Sequence, residues 1–344
     1  MLRRGGLPRA AALAGPGQRR RRIRARFVIG ADGPRSTVRR ELGIATDGSD
    51  RLASRIVVLF RGPLWGLVQE HRYLIYFLTG GPDERSLIPA GKPDRWVLGM
   101  PWDTTTNDVQ TLSRRQLTRW IREAAGDPSL PIEIERWLPV VFGTALAERF
   151  REEHAFLVGD AAHRVTPRGS TGLNTAIRDG FDLGWKLAWV VRGWGSDALL
   201  DSYESERRPV AEFNTERSGR DDGSILGTAL GLNADIGGRI SHIWVPRERG
   251  LVSTLDLLDG GLTLFVGPNW GGVVSNGEAG SPPLRVERPD AIAARGLGLA
   301  PTAALLARPD GLVAALWNVE QPSAAPFTHA IKAASETVAS AEAA

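Results

Sequence analysis

Two hydrophobic periods alternate along this chain. Short apolar runs bounded by Gly, Pro and Asp read as strands, and apolar residues recurring every three or four positions read as helices. Phe27–Ile29 is a short run that ends in a Gly-Ala-Asp-Gly turn, and Ser36 stands as N-cap of a helix reaching Leu42. Between Arg55 and Trp102 lie four runs, RIVVLF, YLIYFL, RSLIPA and RWVLGM, which predict an antiparallel sheet. Ser113 caps a predicted helix ending at Ala125, and the strand pattern IEIERWLPV follows. The apolar run Ala155–Val158 stops abruptly at Gly159-Asp160. From Leu173 the period is helical as far as Arg192, with Gly193 placed as C-cap, and a second amphipathic helix covers 199–220. Short strands return after Asp221, and the last Ala/Ser/Glu-rich residues form a fraying tail. Strands interleaved with long helices make this an α/β fold.

The stretch from Phe156 to Gly193 has the order that chemistry requires. A buried parallel strand delivers an acid, Asp160, to the sheet's carboxyl edge. Pro167, Gly169 and Gly172 follow within a few positions, and then a helix begins. Glycines let backbone approach closely, and the free N–H groups and dipole of a helix start favour an electron-rich group. Along the helix Ala176, Gly180, Gly184 and Ala188 form a ridge of small residues. Such a ridge suits either ordinary helix-to-sheet packing or the close approach of a flat ring.

Composition narrows the field. The 344 residues are 42% hydrophobic, enough for two or three domains. No apolar run approaches a membrane span. With no cysteine and only five scattered histidines, there is no disulfide framework, thiolate site or metal cluster to argue from. The net charge of +4 comes from one place: the first 31 residues hold nine arginines and no acid, so the remainder is net acidic. A basic arm for nucleic acid or acidic lipid and an organelle transit peptide are two readings of this leader. The preferred reading is a start lacking an N-terminal unit, with no nucleic-acid role.

GDAAH (159–163), P-x-G (167–169), TGLN (171–174) and D-x-x-x-L-x-WKLA (from Asp179) resemble the second flavin motif of the flavoprotein aromatic hydroxylases. These are the para-hydroxybenzoate hydroxylase-like FAD monooxygenases. FVIGADGPRSTVRRELGI, from Phe27 to Ile44, resembles the same family's other flavin signature. DSYESERRPVAE, STLDLLDGGLTLFVG and ARPDGLVAALW resemble the branch acting on phenols and polycyclic aromatic polyketides.

The resemblance implies an incomplete Rossmann-like FAD-binding domain (27–54 and 151–220) interrupted by an antiparallel substrate sheet (55–150). A thioredoxin-like C-terminal domain (221–330) follows, with a disordered basic leader (1–26) and a tail (331–344) at the ends. Without cysteine the C-terminal domain's role is structural or oligomeric.

The family's G-x-G-x-x-G phosphate turn is missing, so the chain is expected to fold poorly or bind FAD weakly. The resemblance places Asp32, Gly33 and Arg39 near the FAD pyrophosphate and the nicotinamide path. It gives Asp160, following Gly159, a ribityl hydroxyl, lays Pro167 and Gly169 against the isoalloxazine, and aims the backbone of Gly172, Leu173 and Asn174 at its N1/C2-carbonyl edge. His163 reads as structural. Trp65, Tyr73, Tyr76, Phe77 and Trp102 read as core before they read as pocket lining. Two departures stand out: Ser170 replaces a usual glycine, and Asp182 stands where many members have asparagine.

The implied activity is hydroxylation of a phenolic or polycyclic aromatic substrate with FAD, NADPH or NADH, and oxygen, through a flavin C4a-hydroperoxide. The flavin carries that chemistry, so no catalytic side chain and no metal is named. Epoxidation or Baeyer–Villiger insertion is the enzymatic alternative, and an inactive fragment or partner-completed subunit the non-enzymatic one. A cytoplasmic location and a homodimer complete the expectation.

Overall fold

The computed structural model describes residues 9–12, 21–78, 84–220, 238–248, 250–271 and 281–317. These fall into two compact units, one of residues 1–47 with 145–344 and one of 48–144.

The first unit begins with β1 (Arg9–Ala12) and β2 (Arg21–Arg24), which pair antiparallel. Part of the leader expected to be disordered is therefore a two-stranded ladder. β3 (Val28–Gly30), α1 (Thr37–Glu41) and β4 (Thr46–Asp47) follow. Ser36 caps α1 as its sequence position predicts, its Oγ accepting from Arg39 N at 2.9 Å.

The second unit is built on a five-stranded antiparallel sheet. Its strands are β5 (Ala53–Arg61), β6 (Tyr76–Leu78), β7 (Arg85–Pro89), β8 (Arg95–Pro101) and β9 (Glu133–Phe142), in the order β6-β7-β8-β5-β9. A one-turn helix, α2 (Trp65–Val68), follows β5. α3 (Arg114–Ala125) is capped by Ser113 and stopped by left-handed Gly126. Its apolar face buries Leu117 and Ile121 against Ile56, Val58, Phe60, Trp96 and Leu98. Trp65 and Tyr76 flank Trp96, with ring centroids 4.6 and 6.0 Å away, so these two rings pack into the core. Tyr73 and Phe77 are exposed.

The chain returns to the first unit with β10 (Ala145–Ala147), β11 (Arg151–Glu152), β12 (Ala155–Leu157) and β13 (His163–Arg164). β12 pairs parallel with β3, placing Leu157 opposite Gly30, and antiparallel with β11. α4 (Gly172–Arg192) ends at left-handed Gly193, and α5 (Asp197–Gly219) packs beside it. Trp189, Leu183, Leu199, Tyr203, Phe150 and Phe156 form the core beneath the parallel pair.

The C-terminal part holds β14 (Trp244–Arg247), β15 (Gly250–Ser253), β16 (Leu262–Val266), β17 (Leu284–Glu287), α6 (Ala291–Gly296), β18 (Ala304–Ala307) and β19 (Val313–Trp317). Its main sheet has the order β17-β16-β18-β19, parallel between β16 and β17 and antiparallel elsewhere. Strand alternation explains why β16 is buried throughout. Leu262, Leu264 and Val266 face the core shared with α4, while Phe265 faces a separate core with Leu305, Ala293 and Leu297. The 331–344 tail lies outside the described residues.

Candidate functional site

The parallel pairing of β3 with β12 brings together two sequence stretches that lie far apart in the chain. Val158 N donates to the Gly30 carbonyl at 3.1 Å, so both strands end at the same edge and both turns leave from it. Gly33, at φ +79°, turns the chain toward α1, and the Asp32 carboxylate accepts from Thr37 N at 2.7 Å and Val38 N at 3.1 Å. Partial burial raises the Asp32 pKa. Hydrogen bonds from the Ser36 side chain and the Val38 and Thr37 backbone outweigh that and hold it below the ordinary carboxylate value. Asp32 thus organises the α1 start. Arg39 joins the two turns: Nη1 donates to the Ala161 carbonyl at 2.7 Å and Nη2 to the Pro34 carbonyl at 3.0 Å.

On the other side, Gly159 sits at φ +57°, and a Cβ there would lie 3.1 Å from Ala176 Cβ. Only glycine takes this turn without strain. The turn leaves the Asp160 side chain exposed at the strand end. Beneath it lies a buried network that the sequence pattern does not announce. Asp179, two turns into α4, accepts from Gly159 N at 3.1 Å and from Arg207 Nε at 2.9 Å, and it lies 2.6 Å from His163 Nε2. His163 is therefore held in the interior by Asp179 and stacked on Phe150.

The loop of residues 165–171 is strapped by the last turn of α5. Thr166 N and Oγ1 donate to Ser218 Oγ and O at 3.1 and 2.7 Å, and Arg217 Nη2 donates to Thr171 Oγ1 at 2.8 Å. Pro167 is exposed, Gly169 lies at φ +79°, and Ser170 takes φ +54°, the left-handed region that a glycine would occupy without cost. At Gly172 a Cβ would stand 2.7 Å from Val165 Cγ2, so the helix start abuts the loop closely. Thr171 makes no side-chain cap, leaving the N-terminal N–H groups of α4, those of Gly172, Leu173 and Asn174, without one.

The small-residue ridge of α4 is open. Gly180, Gly184 and Ala188 are exposed, and a Cβ at Gly180 or Gly184 would meet nothing within 4 Å. Leu173, Ile177 and Phe181 are exposed along the same helix.

A second buried cluster ties the C-terminal part to α4 and α5. Lys186 Nζ contacts Asp182 at 2.8 Å and Glu206 at 3.1 Å, while Arg308 pairs with Glu206 at 2.7 Å and with Asp310. Burial pushes the Asp182 pKa up to about 7; Lys186 opposes the shift and Glu206 adds to it. Burial also raises Glu206 and Asp310, but Arg308 outweighs it and leaves both below their ordinary values. Three carboxylates meet here, yet two cations already answer them, so the cluster is an ionic joint and not a metal site.

Backbone donors at a helix start, two turns opening at one sheet edge and an acid beside them are the features that nucleotide binding by an α/β fold uses. The sequence profile of the FAD binding domain family matches residues 6–218, and the chain belongs to that family. It is 30% identical to a tetracenomycin A2 monooxygenase-dioxygenase of Streptomyces glaucescens, over 87% of this chain and 63% of the relative. It is also 30% identical to an aklavinone 12-hydroxylase of Streptomyces purpurascens, over 88% of this chain and 65% of the relative. Among solved structures, aklavinone-11 hydroxylase in complex with FAD and aklavinone superposes with a TM-score of 0.82 at 27% identity, covering 95% of this chain and 70% of that one. The chain spans about two thirds, or less, of the length of the curated relatives it matches. The family match starts within the basic leader, so β2 and part of that leader are included in it. No helix among the described residues is long and apolar enough to cross a membrane.

The cofactor implied by this membership is FAD, and the residues present fit it. The α4 start offers uncapped donors, Gly159 and Gly172 hold backbone where a side chain would collide, and the Asp160 carboxylate is free at the strand end.

Proposed function

We propose that this chain is the flavin-binding and substrate-sheet part of an FAD-dependent monooxygenase that hydroxylates a phenolic or polycyclic aromatic substrate of polyketide type. NADPH or NADH would serve as reductant. The observation that carries the reading is the junction of the Asp32 and Asp160 turns at one edge, with an uncapped 21-residue helix beginning beside them. Asp160 would hold a ribityl hydroxyl, Asp32, Gly33 and Arg39 would flank the pyrophosphate, and Gly159, Pro167 and Gly169 would leave room for the ring. Gly172, Leu173 and Asn174 would present N–H groups to its pyrimidine edge. When bound, FAD supplies the redox and oxygen-transfer chemistry; these residues bind it, orient it and stabilise negative charge. The relatives' polycyclic substrates support the substrate class, and a cytoplasmic location and a homodimer suit such an enzyme. The test is FAD binding by the purified chain, followed by NAD(P)H oxidation with a panel of phenols and polycyclic aromatics. Retained flavin with substrate-stimulated oxidation supports the reading, and flavin-independent behaviour sinks it.

A second reading, a non-catalytic subunit completed by a partner polypeptide, is favoured by the exposed Leu173, Ile177 and Phe181 stripe. It predicts that the chain alone shows no substrate-stimulated oxidation.

A further inference from the structure

The three buried arginines among the described residues differ in their counter-charges. Arg207 donates to Asp179 at 2.9 Å, and Arg308 donates to Glu206 at 2.7 Å. Among the described residues, Arg217, 7% exposed, donates only to neutral oxygens. Its Nη2 donates to Thr171 Oγ1 at 2.8 Å, Nη1 and Nη2 each lie 3.3 Å from the Arg168 carbonyl, and its Nε is buried with no acceptor. Burial lowers its pKa.

An uncompensated buried cation costs several kcal/mol. Its location adds to that cost. Thr171 immediately precedes α4, where the dipole contributes roughly half a positive charge. A threonine hydroxyl there normally accepts from the first-turn N–H groups. Here it makes no cap and accepts from Arg217 instead. The guanidinium on Thr171 and the dipole of α4 therefore meet at the helix start, and among the described residues no acid pairs with either.

We infer that Arg217 and the α4 N-terminus together form an anion site, in which Arg217 is the fixed counter-charge for the pyrimidine edge of reduced flavin. This rests on the flavin reading above. Hydride transfer from NAD(P)H brings two electrons and one proton, so the ring gains one negative charge, carried at N1 and the C2 carbonyl. A cation fixed behind Thr171 stabilises that charge more than it stabilises the neutral oxidised ring. Arg217 is thus a positioning residue: it acts through Thr171 and through its field. Merely fastening the 165–171 loop would affect both redox states alike.

The experiment compares the full chain with Arg217→Lys and Arg217→Gln. FAD affinity is measured in the oxidised state and the midpoint potential of bound flavin by dye-equilibrated reduction. The expected result is that R217Q loses about tenfold in preference for reduced over oxidised FAD, a fall of about 30 mV for the two-electron couple. R217K, which keeps the charge, stays near the parent value. An unchanged potential in R217Q, or an equal loss of both redox states in both variants, overturns the inference in favour of a loop strap. A flavin-free arm separates this from failure of the flavin reading: sulfate is titrated against each chain in a thermal melt. Greater protection of the parent and R217K than of R217Q supports an open anion site, and equal protection contradicts it. Sulfate protection that depends on Arg217, combined with an unchanged potential, assigns the site to another anion and overturns the flavin assignment.

Discussion

Replacing Asp182 with asparagine should stabilise the protein at neutral and alkaline pH. Asp182 lies on α4 beside Lys186, facing Glu206 from α5 and Arg308 and Asp310 from the C-terminal part. With all groups ionised, three carboxylates share two cations, and burial with the Glu206 charge pushes the Asp182 pKa from 3.8 to about 7. A pKa raised on folding means that the native state holds a proton the unfolded chain releases. Stability from this site is full below pH 4 and is lost as pH rises toward 7. At 1.36 kcal/mol per unit, a shift of about three units caps the effect at about 4 kcal/mol, and relaxation of the Lys186 pair will reduce it. Asparagine cannot ionise, still offers Lys186 an acceptor, and leaves the Lys186–Glu206 and Arg308–Asp310 pairs in place. The lowered Glu206 and Asp310 act in the opposite direction at acid pH, so the comparison is made at pH 5 and above. Urea unfolding of the parent and D182N at pH 5 and pH 8 gives the answer. An advantage of D182N that grows by about 2–3 kcal/mol between pH 5 and pH 8 is predicted. An advantage independent of pH, or a loss at pH 8, would refute the reasoning.

Asp179→Ala removes the acceptor for Gly159 N and one half of the buried Asp179–Arg207 ion pair, and should cost about 3–5 kcal/mol in chemical denaturation. A loss below 1 kcal/mol would mean that the network does not hold the turn. Gly172→Ala drives a methyl toward Val165 Cγ2 and should destabilise by about 1–3 kcal/mol, with weaker FAD binding alongside. Unchanged FAD affinity would remove the helix start from the site. Ser170→Gly relieves a left-handed serine at a gain of roughly 1 kcal/mol, partly offset by the looser unfolded chain. A clear fall in melting temperature would show that the serine is needed where it stands.

Much of the scaffold was legible because its signals are local. Ser36 and Ser113 cap the helices assigned to them, Gly193 ends α4, and the antiparallel runs between Arg55 and Trp102 pair in one sheet. The proximity of the Asp32 and Asp160 turns followed from a family resemblance, since no local pattern encodes the pairing of β3 with β12. The buried charges were not legible. Asp179 and Arg207 meet across two helices, 28 residues apart in sequence, and Arg308 reaches Glu206 from more than one hundred residues away. In sequence each looks like a solvated helix or turn charge. Arg217 was hidden for the same reason: nothing in TERSGR shows that its guanidinium turns inward to the threonine before α4. The small-residue ridge of α4 suited packing or a flat ring equally well, and among the described residues nothing lies on its exposed glycines.

The most direct test is a titration of the purified chain with FAD, followed by flavin fluorescence quenching, for the parent and for Asp160→Ala. Asp160 is exposed, so its removal leaves the core intact. Saturable binding by the parent, weakened at least about tenfold in D160A (about 1.4 kcal/mol), is the predicted result. No saturable binding, or equal affinity in the two proteins, would contradict the claim that these turns form an FAD site.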